Sequence, residues 1–387
     1  MAVGRGGSTA KTSLGFLIYG AQGMWKSSLA LEMLKFNRED GKPFRVLFID
    51  AEQGSVDSYL DEYEQEGIDL RNLYLVYTQS LSEVKDFIEK ASKYEEFYVY
   101  DEEGNETEEV YLDADGQPFR PDAIVVDGAT LLFIARQQGL TEFSKLRATV
   151  RARQKEMTGL EKQVSIQGSA LEIKDWNTLK FDGQSLILAL LNSGKHFAVT
   201  AREEDEKDRI KGASGQFESV PTGRKIPSGF KDLVYNVKTV IHTFKDDDGV
   251  IKGVVENKDR TKVYPQDHIL VEPTLTDWKV VVEKNKGKKT LNNSNTLDGA
   301  VLRELEDAEE KDMTFDKSLG VNDPQETKDP ETVEEYISAI QSAISSLAPM
   351  QKTKLQQRIV KAGLPKAYMK LDDLDILKEY HALVSQK

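Results

Sequence analysis

The chain has 387 residues, 39% of them hydrophobic and 30% charged, with a formal net charge of −14 and no cysteine. Such a length supports one large core and a smaller one. The absence of cysteine excludes disulfide frameworks and thiolate metal sites, and four scattered histidines argue against a His-based metal centre. So acidic a chain is a poor blanket binder of nucleic acid, and any DNA contact has to come from a local basic surface or an assembled channel.

The basic, Gly-rich start Met1–Thr12 runs into a strand, not into a signal-peptide apolar region, and no stretch has the length and apolarity of a membrane span. With no cysteine to protect, the expected location is the cytoplasm. Leu14–Tyr19 reads as a buried strand. It leads into Gly20-Ala21-Gln22-Gly23-Met24-Trp25-Lys26-Ser27-Ser28, and then into the helical run Leu29–Leu34. Strand, glycine-containing loop, Lys-Ser and helix make the P-loop pattern. Its backbone N–H groups hold phosphate oxygens, helped by the helix N-terminus. Lys26 is expected to reach the β- and γ-phosphates, and Ser27 to offer its hydroxyl to Mg²⁺. Trp25 stands where that pattern has glycine. It is expected to keep an ordinary backbone, with its ring stacked on a base or packed on a neighbour.

Arg45–Glu52 is a second apolar strand, ending in two acids. Ligands of parallel sheets sit at the carboxyl ends of strands, so Glu52 is placed for chemistry. Leu73–Val76 reads as a short strand and Ser82–Ser92 as an amphipathic helix. From about 94 to 120 an acidic, aromatic stretch reads as inserted β-hairpins. Within it, Asp113 and Asp115 resemble part of a calcium loop but lack the later ligands. Pro121–Gly128 is a third buried strand, with Asp127 at its end to hold the shell of a Mg²⁺ ion opposite the P-loop.

Arg136–Gln167 is the most basic stretch of the core. It reads either as a solvated helix face or as a DNA-facing surface, with Arg147, Arg151 and Arg153 as contacts. A helix from Asp175 to Leu191 precedes the strand His196–Thr200, whose end places Thr200 and Arg202 as candidates for sensing the γ-phosphate. Lys207–Pro227 reads as a mobile polar loop and a second candidate DNA contact. Asp232–Phe244 and Gly249–Asn257 read as a β-pair ending in Lys258-Asp259-Arg260. Residues 285–331 have the composition of a linker. Three short helices follow, at Thr332–Leu347, Met350–Ala362 and Asp372–Val384.

Together these segments resemble the RecA-like P-loop ATPases. Phe48–Glu52 looks like the strand carrying that family's catalytic glutamate, Ile68–Leu73 like the segment after it, and Ala123–Asp127 like its Walker B strand. Asp175 through Glu203 is closest to phage Sak-type single-strand annealing and recombination ATPases, and Lys258-x-Arg260 resembles the Lys-x-Arg motif of that branch and of hexameric helicases. The resemblance covers Ser13–Tyr264. It implies a mainly parallel α/β sheet with helices on both faces, in a core spanning 1–284; the small helical module at 332–387 lies outside it and is read from the sequence pattern alone. It implies ATP and Mg²⁺ as cofactors, hydrolysis with Glu52 activating water, and single-stranded DNA as partner. It also implies a homo-oligomeric ring or filament in which Lys258 and Arg260 reach a neighbour's γ-phosphate; taken alone, the same residues read as a solvated basic turn. In a phage-encoded protein the location is the host cytoplasm. Two other readings stand beside this one. One is a replication accessory ATPase that recruits a helicase, or a single-strand-binding protein, through its C-terminal helices. The other is a nucleotide-gated binder that hydrolyses little.

Overall fold

Unbroken apolar runs form the centre of the molecule, because a strand covered on both faces has no use for polar alternation. The computed structural model describes residues 11–211, 216–230, 232–285, 287–288 and, further on, 304, 332–333, 336–337, 340–341, 344, 355, 358–359, 362, 364–365 and 373–385. In chain order the elements are β1 (Gly15–Gly20), α1 (Lys26–Leu31), β2 (Val46–Asp50), α2 (Leu60–Gln65), β3 (Leu73–Tyr77), α3 (Leu81–Lys93), β4 (Tyr98–Tyr100), β5 (Glu106–Val110) and β6 (Ala123–Asp127). Then come α4 (Ala129–Gln154), α5 (Gly159–Gln167), α6 (Ile173–Asn192), β7 (His196–Lys211), β8 (Phe217–Pro227), α7 (Leu233–Asn236), β9 (Thr239–Lys245), β10 (Ile251–Asp259), β11 (His268–Val271) and α8 (Lys279–Glu283).

The main sheet runs β11-β10-β9-β1-β7-β6-β2-β3, and β8 pairs with β7 outside that path. From β9 through β3 every pairing is parallel, whereas β9–β10 and β10–β11 are antiparallel. Successive residues of a strand point to opposite faces. On one face Leu17, Tyr19, Leu47, Ile49, Ile124, Val126 and Val199 pack with residues of α3, α4 and α6. On the other Phe16, Ile18, Val46, Phe48, Val125 and Ala198 pack with α1, Trp278 and Val282. The α/β class, the mainly parallel sheet and the helices on both faces are as expected. Two caps define helix starts: Ser80 accepts from the Glu83 N–H at 3.4 Å, and Glu172 and Asp175 form a reciprocal capping box on α6.

Several segments differ from expectation. Lys207–Lys211 and Phe217–Pro227 are strand, not loop. Residues 203–211 of β7 pair antiparallel with β8 as an arm that extends past the sheet, and its charged, Gly-containing sequence hides the strand because little of the arm is buried. Asp232–Val237 is not strand; α7 occupies it and β9 begins at Thr239. β11 was absent from the expected elements. The insertion does contain the hairpin β4–β5 and a second bridge, Leu112↔Pro118. Two of its acids are paired with cations: Asp113 with Arg45 at 3.2 Å, and Asp115 with Arg38 and Lys42 at 2.9 Å each.

The chain divides into two compact units, Met1–Leu302 and Arg303–Lys387. The second contains the helix Leu374–Ser385 and a small apolar cluster that includes Tyr336, Ile340, Leu355, Ile359, Leu377 and Tyr380. The expected linker 285–331, apart from 285, 287–288 and 304, lies outside the described residues, as do most positions of the expected helices at 332–347 and 350–362.

Candidate functional site

The parallel strands end together, and their ends bring the chemistry together. Gly20 of β1 is level with Arg202 of β7, and Asp127 of β6 is level with Asp50 of β2. Gly20 is fixed by packing as well as by the loop: a Cβ there would lie 2.2 Å from the Thr243 carbonyl of β9. After Gly20 the loop turns through Gly23 into α1, which is short and continues as a 3-10 helix to Lys35. Its Lys26 ammonium donates to the Ala21 carbonyl at 2.6 Å, across the loop's mouth. Desolvation holds that amine below its ordinary pKa, against the opposing pull of Glu52 and Asp127.

Trp25 corrects the expectation of an ordinary backbone. Its φ is 55° and its ψ 20°, the left-handed conformation that glycine would adopt freely. For a bulky side chain this costs about 1–2 kcal/mol. The indole, 48% exposed, lies on the cleft wall. That cleft is lined by the loop from Gln22 to Ser28 and by Glu52, Ser55, Tyr59 and Arg202.

Asp127 is buried behind it, and accepts hydrogen bonds from the hydroxyls of Ser55, Thr200 and Ser27. Burial pushes its carboxyl above the usual range, while those three hydroxyls pull the other way. A buried carboxylate ringed by hydroxyl oxygens is a hard, all-oxygen donor set, which fits Mg²⁺. Among the described residues there is no cluster of three or more His, Asp or Glu that could hold a metal. Magnesium bound through one or two protein groups and substrate phosphates needs none.

Glu52 faces the same cleft and is paired with Arg202, whose Nη2 and Nε lie 3.1 and 3.3 Å from one carboxylate oxygen. Gly128, with φ 98°, allows this approach; a Cβ there would lie 3.0 Å from the Glu52 Cγ. Thr200 is placed differently from the expectation of a γ-phosphate sensor. It is buried, donates to Asp127 and accepts the Gly128 N–H at 2.8 Å. It therefore stands behind the Asp127 carboxylate and not on the cleft wall.

Sequence reasoning missed Asp50, Ser55 and Tyr59. The doublet Asp50-Ala51-Glu52 was a signal for the first, since two acids at one strand end seldom share a role.

The other candidates lie elsewhere. Arg147 donates to Asp175 at 3.0 Å and Arg151 to Glu172 at 2.8 Å, so both clamp α4 to the start of α6. Arg153 is exposed. α4 and α5 expose apolar side chains as well as basic ones, with Phe143, Leu146, Val150, Leu160 and Val164 exposed. Arg260 follows β10, and its N–H donates to the Lys238 carbonyl at 2.9 Å. Because the Lys238 N–H in turn donates to Gly15, Arg260 sits at the opposite end of β1 from the loop, roughly 16 Å away along the strand. Lys258 lies in β10, and its side chain is outside the described residues. No helix among the described residues is long and apolar enough to cross a membrane.

No family model matches the chain, and no curated protein matches it. Solved structures similar to it include a KaiC-like protein from the hyperthermophilic archaeon Pyrococcus horikoshii OT3, at 12% identity and a TM-score of 0.35, covering 68% of this chain and 91% of that one. Another is the RadB recombinase, at 15% identity and a TM-score of 0.34, covering 66% of this chain and 84% of that one.

Proposed function

We propose that the chain is a RecA-like ATPase that hydrolyses ATP and acts on single-stranded DNA, in recombination or strand annealing of the phage Sak type. One observation carries the enzymatic part: Lys26, Ser27, Glu52 and the buried Asp127 converge on one cleft at the carboxyl edge of a parallel sheet. In this reading residues Gly20 to Ser28 hold the phosphates through backbone N–H groups, and Lys26 leaves the Ala21 carbonyl for the β- and γ-phosphates. Ser27 and Asp127 would hold Mg²⁺, which when bound neutralises charge on the phosphate oxygens. Glu52 orients the attacking water and accepts its proton. Arg202 holds the Glu52 carboxylate and is the nearer candidate for sensing the γ-phosphate.

Arg260 cannot reach its own subunit's loop from the far edge of the sheet. That supports a trans role, in which Lys258 and Arg260 complete a neighbour's site in a ring or filament. The DNA part rests on the sequence resemblance, with Arg153 and the exposed arm cations Lys207, Arg209 and Lys211 as the basic groups left for it. A second reading, a replication accessory ATPase that recruits another protein, is favoured by one observation: two of the three arginines expected on DNA are tied to Asp175 and Glu172.

The test is phosphate release from Mg-ATP with and without single-stranded DNA, at several salt concentrations. The proposal expects turnover that DNA raises, and DNA affinity that falls steeply with salt. Turnover indifferent to DNA, with no measurable affinity for it, would favour the second reading. ATP binding without turnover under any condition would overturn both.

A further inference from the structure

Glu52 stands on a five-residue turn, and that turn is built around another carboxylate. Asp50 is the last residue of β2 and is fully buried. One of its oxygens accepts the N–H groups of Glu52 and Gln53, at 2.8 and 3.0 Å; the other accepts those of Gly54 and Ser55, at 2.8 Å each. Gln53 and Gly54 have φ of 59° and 104°. Such backbone turns successive N–H groups toward one centre, the arrangement of an anion nest. Here the anion is the chain's own side chain. Bonds from N–H to a carboxylate are charge-assisted and short, so four of them fix the turn firmly.

The turn has two outputs. Glu52 leaves it on the cleft side toward Arg202, and Ser55 leaves it toward Asp127. The far side is pinned as well: the Ala51 N–H donates to the Asp127 carbonyl at 2.9 Å, and Gln79 donates to the Ala51 carbonyl at 3.1 Å. Asp50 does not line the cleft. Its four bonds therefore act on the cleft through the placement of Glu52 and Ser55.

We propose that Asp50 is a positioning residue, whose carboxylate, by accepting four main-chain N–H groups, holds Glu52 and Ser55 at the geometry hydrolysis requires. The proposal rests on the ATPase reading with Glu52 as the water-activating group. Displacing a reacting group by 1 Å can cost about 10²-fold in rate. Asp50→Asn keeps the shape and replaces one accepting oxygen by an NH₂ that faces two N–H donors. It is expected to lower kcat about 10²-fold with ATP affinity within about twofold of the parent.

A purely structural aspartate would lower the amount of folded protein and leave kcat per folded site alone. The decisive readout is therefore a double-mutant cycle on full-length protein, with active sites counted by nucleotide binding. If Asp50 acts through Glu52, Asp50→Asn adds little to the loss already caused by Glu52→Gln. Full additivity of the two losses, or parental kcat in Asp50→Asn, would overturn the proposal. Should Asp50→Asn fail to fold, Gly54→Ala strains the same turn without touching the carboxylate. A drop in kcat at retained ATP affinity would then support the proposal, and unchanged kcat would overturn it. Absence of turnover in the parent protein is a different result: it removes the ATPase reading itself.

Discussion

Asp50 and Asp259 each fold a turn around a carboxylate, at opposite edges of one sheet. Asp50 gathers the N–H groups of 52–55, and Gln53 and Gly54 supply positive φ. Asp259 gathers those of Thr261, Val263 and Tyr264 at 2.9–3.0 Å, with Lys262 at φ 62°. Burial opposes its charge, yet hydrogen bonds from Thr261, Tyr264 and Thr239 hold its carboxyl below the usual range. The first turn delivers an acid to the cleft of its own subunit. The second presents Arg260 roughly a strand's length from that cleft. The same device, a carboxylate that gathers main-chain N–H groups, thus serves, in the proposed reading, one group that works in cis and one that works in trans.

That contrast can be broken most forcefully at the two ends of the sheet. Lys26→Ala removes the ammonium at the loop and is expected to lower turnover by about 10³-fold. Arg260→Ala is expected to cost a comparable factor, about 10³-fold, with ATP affinity retained. Mixing the two inactive proteins separates their sites. Lys26→Ala with Arg260→Ala should regain part of the activity, because the Lys26→Ala subunit supplies its Arg260 to the intact cleft of the Arg260→Ala subunit. Lys26→Ala with Asp50→Asn should not, because both lesions fall in one cleft. Activity that is independent of protein concentration, in a chain that stays monomeric with ATP and DNA, would end the trans assignment.

A smaller effect concerns the same far edge. His196 opens β7, and its Nδ1 accepts the Leu14 N–H at 3.0 Å. Burial, with Lys11, Lys238 and Lys195 nearby, pushes its pKa down to about 3. The folded value lies below the unfolded one, so the unfolded chain binds the extra proton between about pH 6.5 and 3. Stability from this group is complete above that window and falls as pH drops through it, by at most about 1.4 kcal/mol per pH unit. Denaturation midpoints at pH 7.5, 6 and 5 should fall less steeply in His196→Gln than in the parent. The smallest effect belongs to the loop: Trp25→Gly relieves the left-handed strain and is expected to stabilise the fold by about 1 kcal/mol, seen as a higher melting temperature.

The centre of the fold was legible because burial on both faces leaves a continuous apolar run, as in Ala123–Val126 and Phe197–Val199. That the loop after β1 and Asp127 would lie at one end of the sheet was legible because each follows an unbroken apolar strand. What stayed hidden followed different physics. The β7–β8 arm buries little, so its sequence carries no apolar period. Thr200 sits where expected on its strand, but its neighbours turn its hydroxyl toward Asp127. Trp25 showed a departure from the P-loop pattern but not that its backbone is left-handed. Arg147 and Arg151 looked free until α6 brought Asp175 and Glu172 beside them.

The central claim is that this cleft hydrolyses ATP with Glu52 as the water-activating carboxylate, and Glu52→Gln tests it most directly. ATP affinity and phosphate release are measured on the same preparations of parent and variant, in Mg²⁺ and with single-stranded DNA present. The account predicts affinity within about twofold of the parent and a loss of turnover of at least about 10²-fold. Parental turnover in Glu52→Gln at saturating ATP would contradict it.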